Sequence, residues 1–266
     1  MLSARSQNLF VNLDGGFANY DGELQPRRYT FQQAHKGLGA GLGYELSPHI
    51  TLSTELLYTK VSASDAYQHD SILKARNLNF TTGILEWNAR VEYVLLDLSD
   101  YRLSPYIFAG LAIFHFNPYT YDTAGRKVFL KPLATEGEGL AGRAKPYSLW
   151  QPSIPVGLGA KFALSDNVRV GLEVGLRKTF TGYLDDVHTT YVDEANLLTY
   201  KGPEAVELAY RTNELPKDAG VPYPHQGALR GDGEDDWYYF TAVRISIRIN
   251  GGTYITRHMR CPKKPT

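Results

Sequence analysis

The sequence predicts an antiparallel transmembrane β-barrel of about eight strands. Three observations predict it: segments in which apolar and polar side chains alternate, connections that alternate between short and long, and minority-face charges that are nearly balanced in sign. Alternation with a period of two is the signature of a strand. A hydropathy average along the sequence does not detect a barrel of this kind, because only every second residue faces lipid.

The composition excludes several classes of protein. No apolar run approaches the roughly 20 residues that a membrane-spanning helix needs, so a helical membrane protein is excluded. The 28 basic and 28 acidic residues cancel, which gives no reason to expect nucleic acid as a partner. The single cysteine, Cys261, allows neither an internal disulfide nor a thiolate metal site. The amino terminus shows no apolar leader, and we expect that a leader has been removed from a mature chain.

Each predicted strand is identified by its alternating faces. A weaker segment over 8–20 opens the series, and clear alternation follows over 38–46 and 50–58. The clearest segment is 84–95, in which Trp87 and its apolar companions alternate with charged and amide side chains. The remaining segments are 104–117, which is apolar on both faces, 154–163, 168–180 and 239–248.

The connections predict which end of the barrel faces which compartment. The short turns are 47–49, 98–102 and 165–167, and the long loops are 21–35, 62–76, 118–148 and 181–235. An outer-membrane barrel has short periplasmic turns and long extracellular loops, whereas a soluble sandwich has no reason to gather its long loops at one end. We therefore expect both termini in the periplasm, with a barrel over 1–252 and a basic periplasmic tail over 253–266.

The charged residues on the minority faces are expected to lie inside the barrel. An eight-stranded barrel is just wide enough for side chains to fill it. Buried charges persist when they are paired and hydrogen-bonded, and five acids with six bases permit a filled interior without a continuous pore. In a soluble sandwich the same faces would be solvated. The predicted interior charges are Glu45, Glu55, Glu86, Arg90, Glu92, Lys161, Arg169, Glu173, Arg177, Arg244 and Arg248.

The carboxyl-terminal tail is the candidate partner-binding segment. Arg257, Arg260, Lys263 and Lys264 make it basic although the whole chain is neutral. An odd cysteine in an oxidising compartment indicates an intermolecular disulfide or a reactive thiol, and Cys261 lies among these positive charges. An inert, unpaired cysteine is the alternative.

No catalytic, cofactor or metal site is predicted. The seven histidines are scattered and show no paired spacing on a strand face. Carboxylates at Asp185, Asp186 and 232–236 suit a hard cation such as calcium, but a solvated acidic loop is the favoured interpretation. Serine, histidine and acid all occur, but no motif brings them together, so no enzymatic activity is expected.

Several short phrases give the chain a more specific resemblance. They are RNLNF at 76–80, LSPYIFAG at 103–110, FHFNP at 114–118, KPLATEGEGL at 131–140, SIPVGLG at 153–159, RKTFTGYLDDV at 177–187, DWY at 236–238 and CPK at 261–263. In this order and spacing, from about residue 8 to residue 263, the chain resembles the PorG-like outer-membrane barrel of the type IX secretion system of the Bacteroidetes.

The resemblance implies a role in protein secretion across the outer membrane and, in some members, in the linked gliding motility. It implies a barrel surrounded by outer-membrane lipids that anchors or scaffolds a periplasmic ring of a lipoprotein and a soluble subunit. The alternative is a free-standing small barrel that acts in adhesion or envelope integrity. An adhesin would use 118–148 and 181–235, whereas a secretion anchor would use the periplasmic turns and the tail.

Overall fold

The computed structural model describes residues 8–27, 29–217 and 220–249. Strands account for nearly half of this part of the chain. In chain order they are β1 (Asn8–Asp21), β2 (His35–Glu45), β3 (Ile50–Ser64), β4 (Asn79–Val94), β5 (Leu103–Tyr121), β6 (Lys127–Phe129), β7 (Trp150–Ala163), β8 (Val168–Thr179) and β9 (Trp237–Arg248).

Eight of these strands close into an antiparallel ring. Strand order around the ring is β4-β3-β2-β1-β9-β8-β7-β5, and pairing between β4 and β5 closes it. The short strand β6 pairs with the end of β5 and lies outside the ring. A closed ring satisfies every strand edge internally, as a lipid environment requires. The predicted closed barrel of eight antiparallel strands is therefore confirmed.

The two faces of each strand differ in the predicted way. Large apolar side chains point outward, and Leu38 and Leu111 keep more than two thirds of their surface exposed. The inward face of β4 carries Glu86 and Arg90, which are buried. On β5 both faces are apolar because aromatic rings such as that of Phe108 fill the inside of the barrel. Burial of these rings and charges is what fills the lumen.

Several strands are longer than the sequence predicted, including β4, which begins at Asn79, and β7, which begins at Trp150. β3 continues to Ser64 and β5 to Tyr121, so the first residues of the predicted loops 62–76 and 118–148 belong to strands. These strand ends are rich in polar and aromatic residues and carry little apolar alternation, which is why they were assigned to loops. The short connections are 46–49, 95–102 and 164–167, and the long ones are 22–34, 65–78, 122–149 and 180–236.

The two longest connections, 122–149 and 180–236, fold into a compact cap over one end of the barrel. In 180–236, α2 (Glu194–Lys201) and α3 (Pro203–Ala209) bury Leu197 and Leu208 in the same apolar cluster as Phe116 of the barrel wall. The Asp193 side chain accepts a hydrogen bond from the amide of Asn196 and begins α2, as an N-cap should. The cap is thus part of the core.

Besides α2 and α3, the described residues form one more short α-helix, α1 (Ser71–Arg76), which lies in the connection between β3 and β4. Among the described residues, no helix has the length and apolar character needed to cross a membrane.

Candidate functional site

The centre of the barrel holds a network of buried ion pairs around two arginines. Arg90 binds the Glu173 carboxylate through both terminal nitrogens, at 2.7 and 3.1 Å, and lies 3.2 Å from Glu92. Arg244 contacts Glu55 at 2.5 Å and Glu92 at 3.0 Å. Each arginine therefore bridges carboxylates from different strands. Because the guanidinium group offers five donors in a fixed fork, it is suited to joining several acids at once.

Two further pairs extend the network along the barrel axis. Lys161 pairs with Glu92, and Arg177 donates to Glu86 at 3.3 Å. Glu86 also accepts a hydrogen bond from the Tyr238 hydroxyl. Multiple donors to each carboxylate are what make buried charge tolerable.

A separate group of charges lies near the short-turn end. Arg169 pairs with Glu45, and Arg248 lies 4.0 Å from the same carboxylate. Both guanidinium groups also approach the ring of Phe10, at 4.4 and 5.1 Å from its centroid. A cation over an aromatic face gains a favourable interaction with the ring quadrupole, which adds to the ion pairs.

Of the eleven charges predicted to be internal, eight are buried, and Glu45, Arg169 and Arg248 are partly buried near the short-turn end. The structure adds one buried charge that sequence reasoning missed. Asp14 of β1 is buried and accepts a hydrogen bond from Arg244 at 2.6 Å. With Asp14 counted, six acids face six bases, so the interior set is neutral. Alternation in the weak first segment, with Leu13 outward and Asp14 inward, was the available signal.

Glycines make space for this filling in two ways. At Gly175 an added Cβ would lie 2.5 Å from a terminal nitrogen of Arg177, so the glycine admits a charged head as expected. At Gly157 the added Cβ would lie 2.5 Å from the ring of Phe108. This second glycine makes room for an aromatic ring instead of a charge. Close approach of a neighbouring group is a common reason for glycine within a strand.

The cap is held by a second set of buried polar contacts. Arg230 donates to the Glu136 carboxylate at 3.2 Å and to the backbone carbonyl of Asp186 at 2.5 Å. The Asp186 carboxylate accepts hydrogen bonds from the hydroxyl groups of Thr135 at 2.6 Å and of Tyr147 at 2.7 Å. These contacts join the two long connections of the cap to one another, so the cap is cross-linked by charge as well as by apolar packing.

Three carboxylates converge where the cap meets the barrel. The carboxylate oxygens of Glu23, Asp185 and Asp236 lie within 4.8 Å of one another, a spacing at which oxygen ligands can hold a divalent cation. The Tyr20 hydroxyl lies 2.6 Å from Asp185 and 2.7 Å from Asp236. The single Tyr20 hydroxyl proton can be donated to only one of these two carboxylates at a time. The cluster of three carboxylates therefore has more hydrogen-bond acceptors than donors. The expectation of a solvated acidic loop is wrong for Asp185, Asp186 and Asp236, which are buried.

This convergence predicts an unusual dependence of cap stability on pH. Burial raises the pKa of Asp185 to about 7, and burial together with the Asp185 charge raises the pKa of Asp236 well above its usual range. The folded cap therefore binds protons that an unfolded chain loses near pH 4. Stability from these groups is present at low pH. The contribution of Asp185 is lost as pH rises from about 4 to 7, and the contribution of Asp236 is also lost as pH rises through its own raised pKa.

We expect hydrogen exchange in 180–236, corrected for intrinsic rates, to show a more protected cap at pH 5 than at pH 8. An Asp236→Asn variant, which carries no charge at either pH, should show a smaller difference. Equal or greater protection at pH 8 in the unmodified protein would contradict the raised pKa values.

The remaining candidate residues are not brought together. The His35 ring lies 2.8 Å from the Ser62 hydroxyl, but among the described residues no carboxylate hydrogen-bonds to His35, as a catalytic triad would require. The tail residues Arg257, Arg260, Cys261, Lys263 and Lys264 lie outside the described residues.

The chain is similar to several solved structures. Neisserial surface protein A is 11% identical with a TM-score of 0.44, covering 90% of this chain and 96% of its own. The outer membrane protein OprG from Pseudomonas aeruginosa is 10% identical with a TM-score of 0.42, covering 91% and 97%. Ail, the attachment invasion locus protein of Yersinia pestis, is 7% identical with a TM-score of 0.40, covering 91% and 99%.

Sequence comparison with protein families is more decisive. No curated protein matches the chain. Residues 3–197, well over half of the chain, match the model of the outer membrane protein beta-barrel domain. Together with the closed ring of eight strands, this match establishes that the chain belongs to the outer membrane protein beta-barrel domain family and lies in the outer membrane.

Proposed function

We propose that the chain is a non-enzymatic scaffold of the type IX protein secretion machinery that anchors a periplasmic ring at the outer membrane. The observation that carries this proposal is the filled interior, in which Arg90, Arg177 and Arg244 are at least 97% buried among carboxylates and aromatic rings. A lumen filled in this way offers no path to a solute or to an exported polypeptide. Such a barrel acts through its two ends and its outer wall.

The phrases that carry the family resemblance support this proposal because they build the interior and the cap. KPLATEGEGL contributes Thr135 and Glu136, RKTFTGYLDDV contributes Arg177 and Asp186, and DWY contributes Tyr238. Thr135 and Asp186 hydrogen-bond to each other in the cap, whereas Arg177 and Tyr238 both donate to Glu86 inside the barrel. The resemblance therefore covers buried contacts in both the cap and the barrel interior.

The periplasmic end is the proposed attachment site. β9 ends at Arg248, at the same end of the barrel as the short turns. In the proposed orientation the basic segment 253–266 enters the periplasm, where it can attract an acidic surface of the ring. Charge complementarity of this kind raises the encounter rate more than the final affinity. A disulfide through Cys261 would then hold the complex against mechanical load.

The proposal is tested by purifying tagged barrels from detergent-solubilised outer membranes and identifying the proteins that accompany them. The full chain should bring down a lipoprotein and a soluble periplasmic subunit, together with a high-mass band that reductant removes. Cys261→Ser should lose that band, and a chain ending at residue 252 should lose both partners and secrete poorly. Heat-modifiable gel mobility would show that each variant still folds and inserts.

A free-standing adhesive or envelope-stabilising barrel is the second candidate. It is favoured by exposed apolar side chains at the cap end, where Ile72, Tyr200 and Leu229 keep at least 67% of their surface accessible. If truncation at residue 252 changes neither partners nor secretion, and replacement of these three side chains abolishes surface attachment, the scaffold proposal is wrong.

A further inference from the structure

Two lysines lie side by side on the outer wall of the barrel, near the long-loop end. Leu38 of β2 and Tyr58 of β3 are directly paired, and both point outward. Lys36 and Lys60 are the next outward positions on the same two strands, and both are exposed. The Thr59 hydroxyl donates to the backbone carbonyl of Lys36 at 3.3 Å, which shows that β2 and β3 are still adjacent at this height.

These two charges are unbalanced by acid. Among the described residues, no carboxylate oxygen lies within 4.0 Å of the amino group of Lys36 or Lys60. By contrast, Lys178 on β8 pairs with Asp235 at 3.2 Å. Like charges at neighbouring cross-strand positions repel and destabilise a sheet. An anion bound between them would remove that cost.

The height of the pair corresponds to the edge of the membrane. The outward residues of β3 include Ile50, Leu52, Leu56 and Tyr58, all exposed and apolar or aromatic, before Lys60. At about 3.3 Å per residue and a tilt of about 40°, Lys60 lies about 25 Å above Ile50 along the membrane normal. The apolar band of an outer-membrane barrel is also about 25 Å tall. Lys60 therefore lies at the level of lipid headgroups.

The surroundings of the pair form a shallow corner. On one side, Lys36 is paired with Phe17 of β1, and Phe17 is paired with Thr241 of β9. The Tyr29 hydroxyl lies 2.9 Å from that of Thr241, and Phe31 packs on Tyr29. On the other side Gly83 is paired with Lys60 and leaves a gap next to it. Below the lysines, the exposed side chain of Leu38 provides an apolar surface.

We propose that this corner binds the phosphorylated headgroup of an outer-leaflet glycolipid of the lipid A type. Lys36 and Lys60 neutralise a phosphate, the rings of Tyr29 and Phe31 border the sugar, and acyl chains lie along the apolar wall below. The assignment rests on the long-loop end facing outward, as in the proposed orientation, and is independent of any secretion partner. A basic pair directly above an apolar wall matches an amphiphile with an anionic head.

The test uses the full chain in phosphatidylcholine nanodiscs doped with bis-phosphorylated lipid A, with retained lipid measured by native mass spectrometry. A K36Q/K60Q variant should bind lipid A about 30-fold more weakly, from about fivefold per lysine near a charged surface. K178Q, which removes a lysine already paired with Asp235, is the matched control and should change binding less than twofold.

Two lipid controls separate headgroup recognition from general charge attraction. Dephosphorylated lipid A should bind as weakly to the unmodified protein as lipid A does to the double variant. Phosphatidylglycerol has a phosphate but no sugar and should bind at least tenfold more weakly than lipid A. Unchanged lipid A binding by K36Q/K60Q, or equal binding of phosphatidylglycerol, overturns the proposal. Loss of partners in the purification described above would leave it unaffected.

Discussion

Replacing Arg244 with methionine is expected to lower the free energy of unfolding of the barrel by about 3–5 kcal/mol. Arg244 lies at 2.6 Å from Asp14, 2.5 Å from Glu55 and 3.0 Å from Glu92, and it is 2% exposed. Methionine retains most of the volume but supplies no charge. Three carboxylates would then remain buried with a deficit of positive charge and of hydrogen-bond donors, which is the costly way to break a buried ion pair.

The measurement is reversible denaturant unfolding in detergent or lipid vesicles, followed by tryptophan fluorescence. Val243→Met is the matched control, because Val243 is the adjacent residue of β9 and points outward. Its expected effect is below about 1 kcal/mol. Adding Asp14→Asn to the Arg244→Met variant should restore part of the loss, since it removes one of the uncompensated charges. A loss below about 1 kcal/mol for Arg244→Met would show that the network contributes little.

Replacing Arg230 with methionine is expected to open the cap while the barrel remains closed. Arg230 contacts the Glu136 carboxylate and the Asp186 carbonyl, and its own carbonyl accepts a hydrogen bond from Arg76. Loss of the Arg230 side chain leaves the Glu136 carboxylate buried without its positively charged partner. This lowers the stability of the closed cap by about 3 kcal/mol or more. The population of the opened cap should then rise by about two orders of magnitude.

Hydrogen exchange separates the two parts of the molecule. Amides of α2 and α3 should exchange about 100-fold faster in Arg230→Met, whereas those of β4 and β9 should keep their protection. Arg126→Met is the control within the cap, because the Arg126 side chain is 72% exposed and its partner Asp122 keeps the Arg126 backbone amide as a hydrogen-bond donor at 2.7 Å. Faster exchange in the barrel strands as well would mean that cap and barrel unfold as one unit.

Much of the barrel follows from the sequence because strand alternation is a local property. Each outward apolar residue is two positions from the next, so the segments around Trp87 and Val243 can be recognised without any knowledge of their neighbours. The same alternation assigns Glu86 and Arg177 to the inward face. Asp14, the acid that makes the set of interior charges neutral, was missed because its segment contains few strong alternating pairs.

The cap could not be predicted in this way. Its residues show no regular period, and their burial depends on contacts between 122–149 and 180–236 that no local pattern encodes. When only their sequence neighbours are considered, Asp185 and Asp186 are predicted to lie in a solvated acidic loop. They are buried because Arg230, Thr135 and Tyr147 come from distant positions to compensate Asp186, and Tyr20 does so for Asp185.

The sequence by itself determined the strands, their faces and the near neutrality of the interior. Only the tertiary structure decided which charge pairs with which. Arg90 meets Glu173 and Arg244 meets Asp14 across 83 and 230 positions of the chain. Such pairs depend on the registers of all eight strands and on the closure of the ring, since a one-residue shift would send a side chain to the opposite face.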